Sequence, residues 1–331
     1  MTGITKEQLE FFETQGYLIV EDVLLENDLE AIRAEYSGIL DREAPKLVAS
    51  GQLSQDYKGL GFEERYSKIL QELEDTYAIY QHLDISLPLL HKMSPDASLN
   101  AGPAVFHNLL SNPSILNIAE SVIGSELYCN PVQHTRIKPP QSLLKGKALD
   151  SNVGKAFWHQ DEAVLTDDAT DINMLTVWVA ITDATEENGC MVCVPGSHKK
   201  AVTMHCPGNS FSSAEIFIPE DLIDQSNVMS MPVKKGGVVL LHQLTEHGSL
   251  ENNSEQIRWS FDLRYNVIGQ NSGREIFPGF VARSKANPEE VLTDAKVWAD
   301  EWFKTRDQLA VQGEIAFNAR WKRFGRHSLC A

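Results

Sequence analysis

Met174-Leu175-Thr176-Val177-Trp178-Val179-Ala180-Ile181 and Gly237-Val238-Val239-Leu240-Leu241 are short β-prone runs bounded by Gly, Asn and acidic residues. Leu127-Tyr128-Cys129, Gln133 to Lys138, Met191 to Val194 and Arg258 to Val267 repeat this texture from residue 127 onward. Many short strands without helices between them predict an antiparallel sandwich or jelly roll, so the fold class is mainly β with flanking helices. Upstream, Thr5-Lys6-Glu7-Gln8 fits a capping box, which predicts a helix over 6–15 stopped by Gly16 and followed by the short strand Tyr17-Leu18-Ile19-Val20. Asn27-Asp28-Leu29-Glu30 opens a second helix with Leu29, Ile32, Tyr36 and Ile39 on one face. Further helix is expected around 62–82, and from Pro113 to Ile123 with Gly124 as its stop. Pro288 to Arg306 predicts another helix, with Val291, Ala295, Trp298 and Trp302 packed on the barrel exterior. The organisation expected is one domain over 1–331: a mainly helical part over 1–126, a jelly-roll core over 127–270 and a helical extension over 271–331. Two polar stretches, Gln141 to Lys155 and His205 to Met231, are too long for hairpin loops and are expected to act as lids.

The chain has 331 residues, with 29 Lys+Arg against 46 Asp+Glu, a formal charge of −17. That balance excludes nucleic acid and anionic membrane as main partners, because both need clustered positive charge. Hydrophobic residues at 42% and charged residues at 23% suit a globular protein rather than a disordered or coiled-coil chain. The opening MTGITKEQLE has no basic segment leading into an apolar one, and no apolar run long enough to span a bilayer follows. Five cysteines, few and odd in number, suit a reducing compartment better than a disulfide scaffold. The expectation is a cytoplasmic protein, monomer or homodimer, acting on a small molecule.

Phe157-Trp158-His159-Gln160-Asp161 is the strongest chemical signal. In an extended chain, residues two apart share a face, so His159 and Asp161 present an imidazole and a carboxylate together. His247, after the strand ending at Leu241, is the best third ligand. Two His and one carboxylate with open positions suit non-heme Fe(II) and O2 chemistry, and zinc is the competing metal. The histidines are 88 residues apart, so only a β-fold that pairs distant strands can assemble them. Arg258, eleven residues past His247, can hold a carboxylate through two charge-assisted hydrogen bonds. Arg264 is an even step further along the same strand; it competes for that role, or touches substrate from the same cavity. Cys190 and Cys193 read as small core residues, His198 as a structural turn residue, and Asp167, Asp168 and Asp171 as a solvated acidic loop.

Together, Thr5 to Val23, His134 with Pro139-Pro140, His159-Gln160-Asp161, Trp178, Asn188-Gly189, Pro195-Gly196-Ser197-His198, His247 with Ser249, and Arg258 with Ser260 resemble the phytanoyl-CoA dioxygenase family of Fe(II)/2-oxoglutarate oxygenases, over about residues 5–285. The resemblance implies a double-stranded β-helix of cupin-like form and oxidation of a substrate coupled to conversion of 2-oxoglutarate and O2 into succinate and CO2. By position it assigns His159, Asp161 and His247 to iron and Arg258 to the distal carboxylate of 2-oxoglutarate. Ser249, Trp178, Ser260, Thr135 and Arg136 are placed with the co-substrate, and Gln133, His134 and Arg264 with the primary substrate. Asp161 stands where related halogenating enzymes carry a small residue, which favours hydroxylation over halogenation. Desaturation, epimerisation and ring formation use the same triad; a cupin-type metal enzyme without 2-oxoglutarate would leave Arg258 and Ser260 unexplained, and a non-catalytic jelly roll would leave the whole site so. The acidity of the chain disfavours coenzyme A as part of the substrate, although Arg136, Lys138, Lys145, Lys147 and Lys155 cluster by the first long loop.

Overall fold

The computed structural model describes residues 3–88, 92–144, 153–169, 171–207, 216–313 and 320–330. In chain order its main elements are α1 (Lys6–Gln15), β1 (Tyr17–Val20), α2 (Glu26–Ala49), α3 (Phe62–Glu72), α4 (Pro113–Ile123), β2 (Leu127–Cys129), β3 (His134–Lys138), β4 (Met174–Ala180), β5 (Met191–Cys193), β6 (Cys206–Pro207), β7 (Ile216–Phe217), β8 (Met229–Met231), β9 (Val238–His242), β10 (His247–Ser249), β11 (Arg258–Val267), β12 (Phe280–Arg283) and α5 (Ala295–Gln312). Among the described residues the large sheet runs β1-β9-β4-β11-β2-β12, with β3 also on β11; a second sheet runs β10-β5-β8, and β6 pairs with β7. All pairings are antiparallel. The expected jelly roll is present, and its two sheets face each other across the site.

β11 is the strand on which the layers meet. One edge pairs with β4; the other pairs with β3 along Arg258–Asp262 and with β2 along Tyr265–Val267. Strand geometry sends alternate side chains to opposite faces. Trp259, Phe261, Leu263 and Tyr265 go to the outer face, where all are buried, and Arg258, Ser260, Asp262 and Arg264 go inward. The helices cover the outer face. Tyr36 of α2 packs its ring 4.8 Å from Trp259, and Phe62 of α3 lies 4.5 Å from the same indole. The Tyr36 hydroxyl donates to Leu83 O at 2.8 Å and meets Thr135 Oγ1 at 2.7 Å, so its burial leaves no polar group orphaned.

The capping box at Thr5 and the Gly16 stop form as the sequence predicts. The helix predicted within Pro288–Arg306 begins later, at Ala295, because Asp294 caps it through Lys296 N. Val291 therefore precedes it, while Trp298 and Trp302 are buried as expected. β1 and β12, from the N- and C-terminal parts, belong to the large sheet beside the core strands. Of the two long stretches, 145–152 and 208–215 lie outside the described residues; the remainder of the second carries β6, β7 and β8. The sequence suggested reduced cysteines throughout, but proximity in the fold pairs Cys206 with Cys330 in a disulfide and leaves three buried free thiols, Cys129, Cys190 and Cys193. No helix among the described residues is long and apolar enough to cross a membrane.

Gly16 is left-handed at φ +79°, and a Cβ there would press on His198 Nδ1 and Thr245 Oγ1. Its carbonyl also accepts from Thr245 Oγ1 at 2.6 Å and from His242 N at 2.9 Å, which ties α1 to the turn before β10. Gly16→Ala combines backbone strain with overpacking and is expected to cost about 1–3 kcal/mol of stability, read from denaturant unfolding of the metal-free protein.

Candidate active site

His159, Asp161 and His247 meet although the histidines are 88 residues apart in sequence. His159 N donates to His247 O at 2.8 Å, and His247 N returns the bond to His159 O at 2.9 Å. This pair of bonds forms a one-residue antiparallel bridge that joins the segment before Asp161 to β10. The candidate ligand atoms all lie within 4.8 Å of one another. His159 Nε2 is 3.8 Å from Asp161 Oδ1, and His247 Nε2 is 4.0 Å from the same oxygen.

Each imidazole is oriented by the backbone two residues before it. His159 Nδ1 lies 2.7 Å from Phe157 O, and His247 Nδ1 lies 2.9 Å from Thr245 O. A carbonyl can only accept, so Nδ1 carries the proton in both rings and Nε2 keeps its lone pair for a metal. Burial, then the neighbouring His247, pushes the His159 pKa down to about 3, which keeps the ring neutral. Burial alone would raise the Asp161 pKa; Arg264 and the two histidines overcome it and hold the carboxyl well below the usual carboxylate range. Two imidazoles that turn Nε2 toward one carboxylate on a buried face form a donor set that fits Fe(II).

Arg136, Trp178, Ser249, Arg258 and Arg264 line the same cavity as the two histidines. Arg258 is 2% exposed, donates from Nη1 to Ser260 Oγ at 3.0 Å, and stacks over Trp178 at 5.2 Å. Among the described residues its Nε is buried without a hydrogen-bond partner. A buried guanidinium that lacks a carboxylate is costly, and a co-substrate carboxylate supplies the missing acceptor.

Other expected residues land differently. Thr135 does not reach the cavity: strand alternation sends it outward, to Tyr36. Gln133 is buried beside Cys129 and Ile85 O, away from the cavity lining. His134 pairs with Asp84 at 3.0 Å. Arg136 lines the cavity with Nε on Asp262 Oδ2 at 2.7 Å. Arg264, expected to touch substrate, also lines it, and its Nη atoms are committed to Asp161 Oδ1 at 2.5 Å and Val132 O at 2.8 Å.

The family model for phytanoyl-CoA dioxygenase (PhyH) matches residues 12–260. The chain belongs to this family. Like phytanoyl-CoA dioxygenases generally, it is a dioxygenase-class oxidoreductase. It is 26% identical over 269 residues to phytanoyl-CoA dioxygenase domain-containing protein 1 of Danio rerio, across 78% of this chain and 88% of that protein. It is 24% identical over 281 residues to an ectoine dioxygenase of Bordetella bronchiseptica, across 80% of this chain and 76% of that protein. Among solved structures, the apo non-heme monooxygenase ThoJ superposes with a TM-score of 0.57 at 18% identity, covering 92% of this chain and 98% of ThoJ. EvdO2 from Micromonospora carbonacea var. aurantiaca, complexed with 2-oxoglutarate, gives 0.51 at 20% identity over 81% of this chain and 93% of its own. At these identities the structures show the fold.

Several residues of this oxygenase site were not anticipated. Asp262 sits at the even step between Arg258 and Arg264, a signal available in the alternation of β11. Thr176 precedes Trp178 by two and shares its face, so it too was within reach of a period-two reading. Lys138, expected only as part of a basic cluster by the first long loop, is two residues past Arg136 and equally inward; it is 2% exposed and donates to Ser249 Oγ at 2.6 Å and Leu250 O at 2.5 Å. His205 had no local signal: its Nε2 accepts from Gln160 N at 3.0 Å, bracing the residue between two ligands.

Burial, aided by Arg258 and Arg136, pushes the Lys138 pKa down to about 5, so the amine is neutral at pH 7. An unfolded lysine titrates at about 10.4, so between these values the unfolded chain holds the extra proton and stability rises with pH. Lys138→Met is expected to flatten that rise between about pH 6 and pH 10, measured as denaturant midpoints of the metal-free protein across the range.

Proposed function

We propose that this family member hydroxylates a small or medium-sized metabolite in an Fe(II)- and 2-oxoglutarate-dependent reaction. The observation that carries this reading is a buried two-His, one-carboxylate cluster in the same cavity as Arg258, whose buried Nε lacks an acceptor. His159, Asp161 and His247 would hold the metal. When bound, that metal supplies O2 activation coupled to conversion of 2-oxoglutarate into succinate and CO2, with one oxygen atom going to the substrate. The chain's own residues bind and orient. Arg258, set against Trp178, receives the distal carboxylate of 2-oxoglutarate, and Ser249, fixed by Lys138, lines the route to the metal. Apolar walls from Trp178, Met191 and Leu241 exclude water, which strengthens these charge-assisted contacts.

A primary substrate without coenzyme A fits the acidic exterior, and the likeness to both phytanoyl-CoA and ectoine dioxygenases supports a small-molecule substrate without selecting one. A cytoplasmic location is part of the proposal, supported by the three buried free thiols, with the Cys206–Cys330 disulfide as the one feature that points to an oxidising setting; a monomer or homodimer state is proposed with it.

Anaerobic addition of Fe(II) and 2-oxoglutarate to the purified protein is expected to give a visible metal-to-ligand charge-transfer band. Arg258→Ala should weaken 2-oxoglutarate binding about 10- to 100-fold in that titration. A folded protein that shows no band would overturn the assignment. Succinate release across a metabolite panel then identifies the substrate, and product mass separates hydroxylation from desaturation, epimerisation and ring closure.

A further inference from the structure

Asp161 is held at both carboxylate oxygens by groups outside the ligand triad. Thr176 Oγ1 donates to Oδ2. Arg264 Nη2 donates to Oδ1 at 2.5 Å, and Oδ1 is also the oxygen that faces His159 Nε2 and His247 Nε2. The oxygen turned toward the metal position therefore already carries a guanidinium. Asp161 is fully buried and Arg264 is 3% exposed, so water screens this contact poorly.

Arg264 is also held on its far side. Its Nη1 is anchored to Val132 O at 2.8 Å, and its backbone carbonyl accepts from Asn130 N at 2.9 Å within β11's pairing. The nearest other inward carboxylate, Asp262, is taken by Arg136 at 2.7 Å, which leaves Asp161 as the acid Arg264 serves. A guanidinium anchored on its far side stays beside the carboxylate when a metal arrives. With Thr176 occupying Oδ2, the carboxylate presents one oxygen, and that oxygen shares its electron density with a positive charge. Coulomb repulsion from a fixed cation scales with the charge of the ion it faces, so it disfavours a trivalent metal more than a divalent one.

We propose that Arg264 is a positioning residue for the metal centre: with Thr176 it holds Asp161 to one-oxygen ligation, and its charge keeps bound iron in the ferrous state in which it can meet O2. The inference rests on the triad being a metal site and goes beyond it in assigning the residue that sets ligand denticity and oxidation state. It also accounts for why an arginine three pleat repeats beyond Arg258 lines the cavity with both of its Nη atoms already committed.

The experiment uses the full chain with two readouts independent of turnover: Co(II) binding by calorimetry with its visible ligand-field spectrum, and the Fe(III)/Fe(II) midpoint by redox titration. Arg264→Gln, which keeps a donor and removes the charge, is expected to lower the midpoint and tighten Co(II) binding about tenfold. Arg264→Lys should retain a midpoint near that of the unaltered protein. Thr176→Val frees Oδ2 and should shift the Co(II) spectrum toward higher coordination with weaker bands. Equal midpoints and equal Co(II) affinities for Arg264→Gln and the unaltered protein would overturn the charge role. If Arg264→Gln does not fold, an unchanged Co(II) spectrum in Thr176→Val overturns the clamp. Failure of the unaltered chain to bind Co(II) would instead count against the metal site itself.

Discussion

Two backbone hydrogen bonds, His159 N to His247 O and His247 N to His159 O, hold together everything the site needs. They form an isolated antiparallel bridge between the segment leading to Asp161 and β10, and they place both imidazoles on one side of the join. β10 pairs with β5, so the bridge is continuous with the smaller sheet. Ser249 N donates to Ala156 O at 3.0 Å, and Ser249 Oγ accepts from Ala156 N at 2.9 Å, which fixes the register on the far side of the bridge. A slip of one residue would turn both histidines away, because side-chain direction alternates.

Facing this bridge, β11 supplies the charge. Arg258, Asp262 and Arg264 alternate with residues that carry the aromatic packing against α2 and α3. The same strand thus does two jobs through one period. Its outer face anchors the helices, and its inner face sets a buried row of cations that the acidic exterior would not suggest. Burial lowers the Arg258 pKa to about 10, still far above neutrality, whereas the Lys138 amine loses its charge. The cavity's positive charge is therefore carried by guanidinium groups, which suit carboxylate recognition by shape as well as by charge.

Much of this was legible in the sequence, and the reasons are local. The capping box at Thr5, the stop at Gly16, the strand runs and the spacing of His159 with Asp161 depend on neighbours a few residues away. Arg258, expected on the strand after His247, lines the same cavity as the two histidines. What local pattern could not deliver was direction and partnership. Thr135 was placed at the site by resemblance, yet parity turns it to Tyr36. Arg264 faced the cavity as its even step indicated, but only the folded chain shows that Asp161 occupies its fork. His205 and Trp321 come from segments that approach the metal motif late in the chain, with no periodic signal to announce them.

Those late segments change the topology of the molecule. Trp321 donates from Nε1 to Ala163 O at 2.8 Å and lies 4.8 Å from the His205 ring, and one residue beyond His205 the disulfide joins Cys206 to Cys330. The covalent link spans 124 positions, so the backbone from β6 through β11 and α5 to the final turns is a closed ring. A ring cannot fray from its end. The indole of Trp321 is thus held as an interior point of a closed loop rather than on a free end.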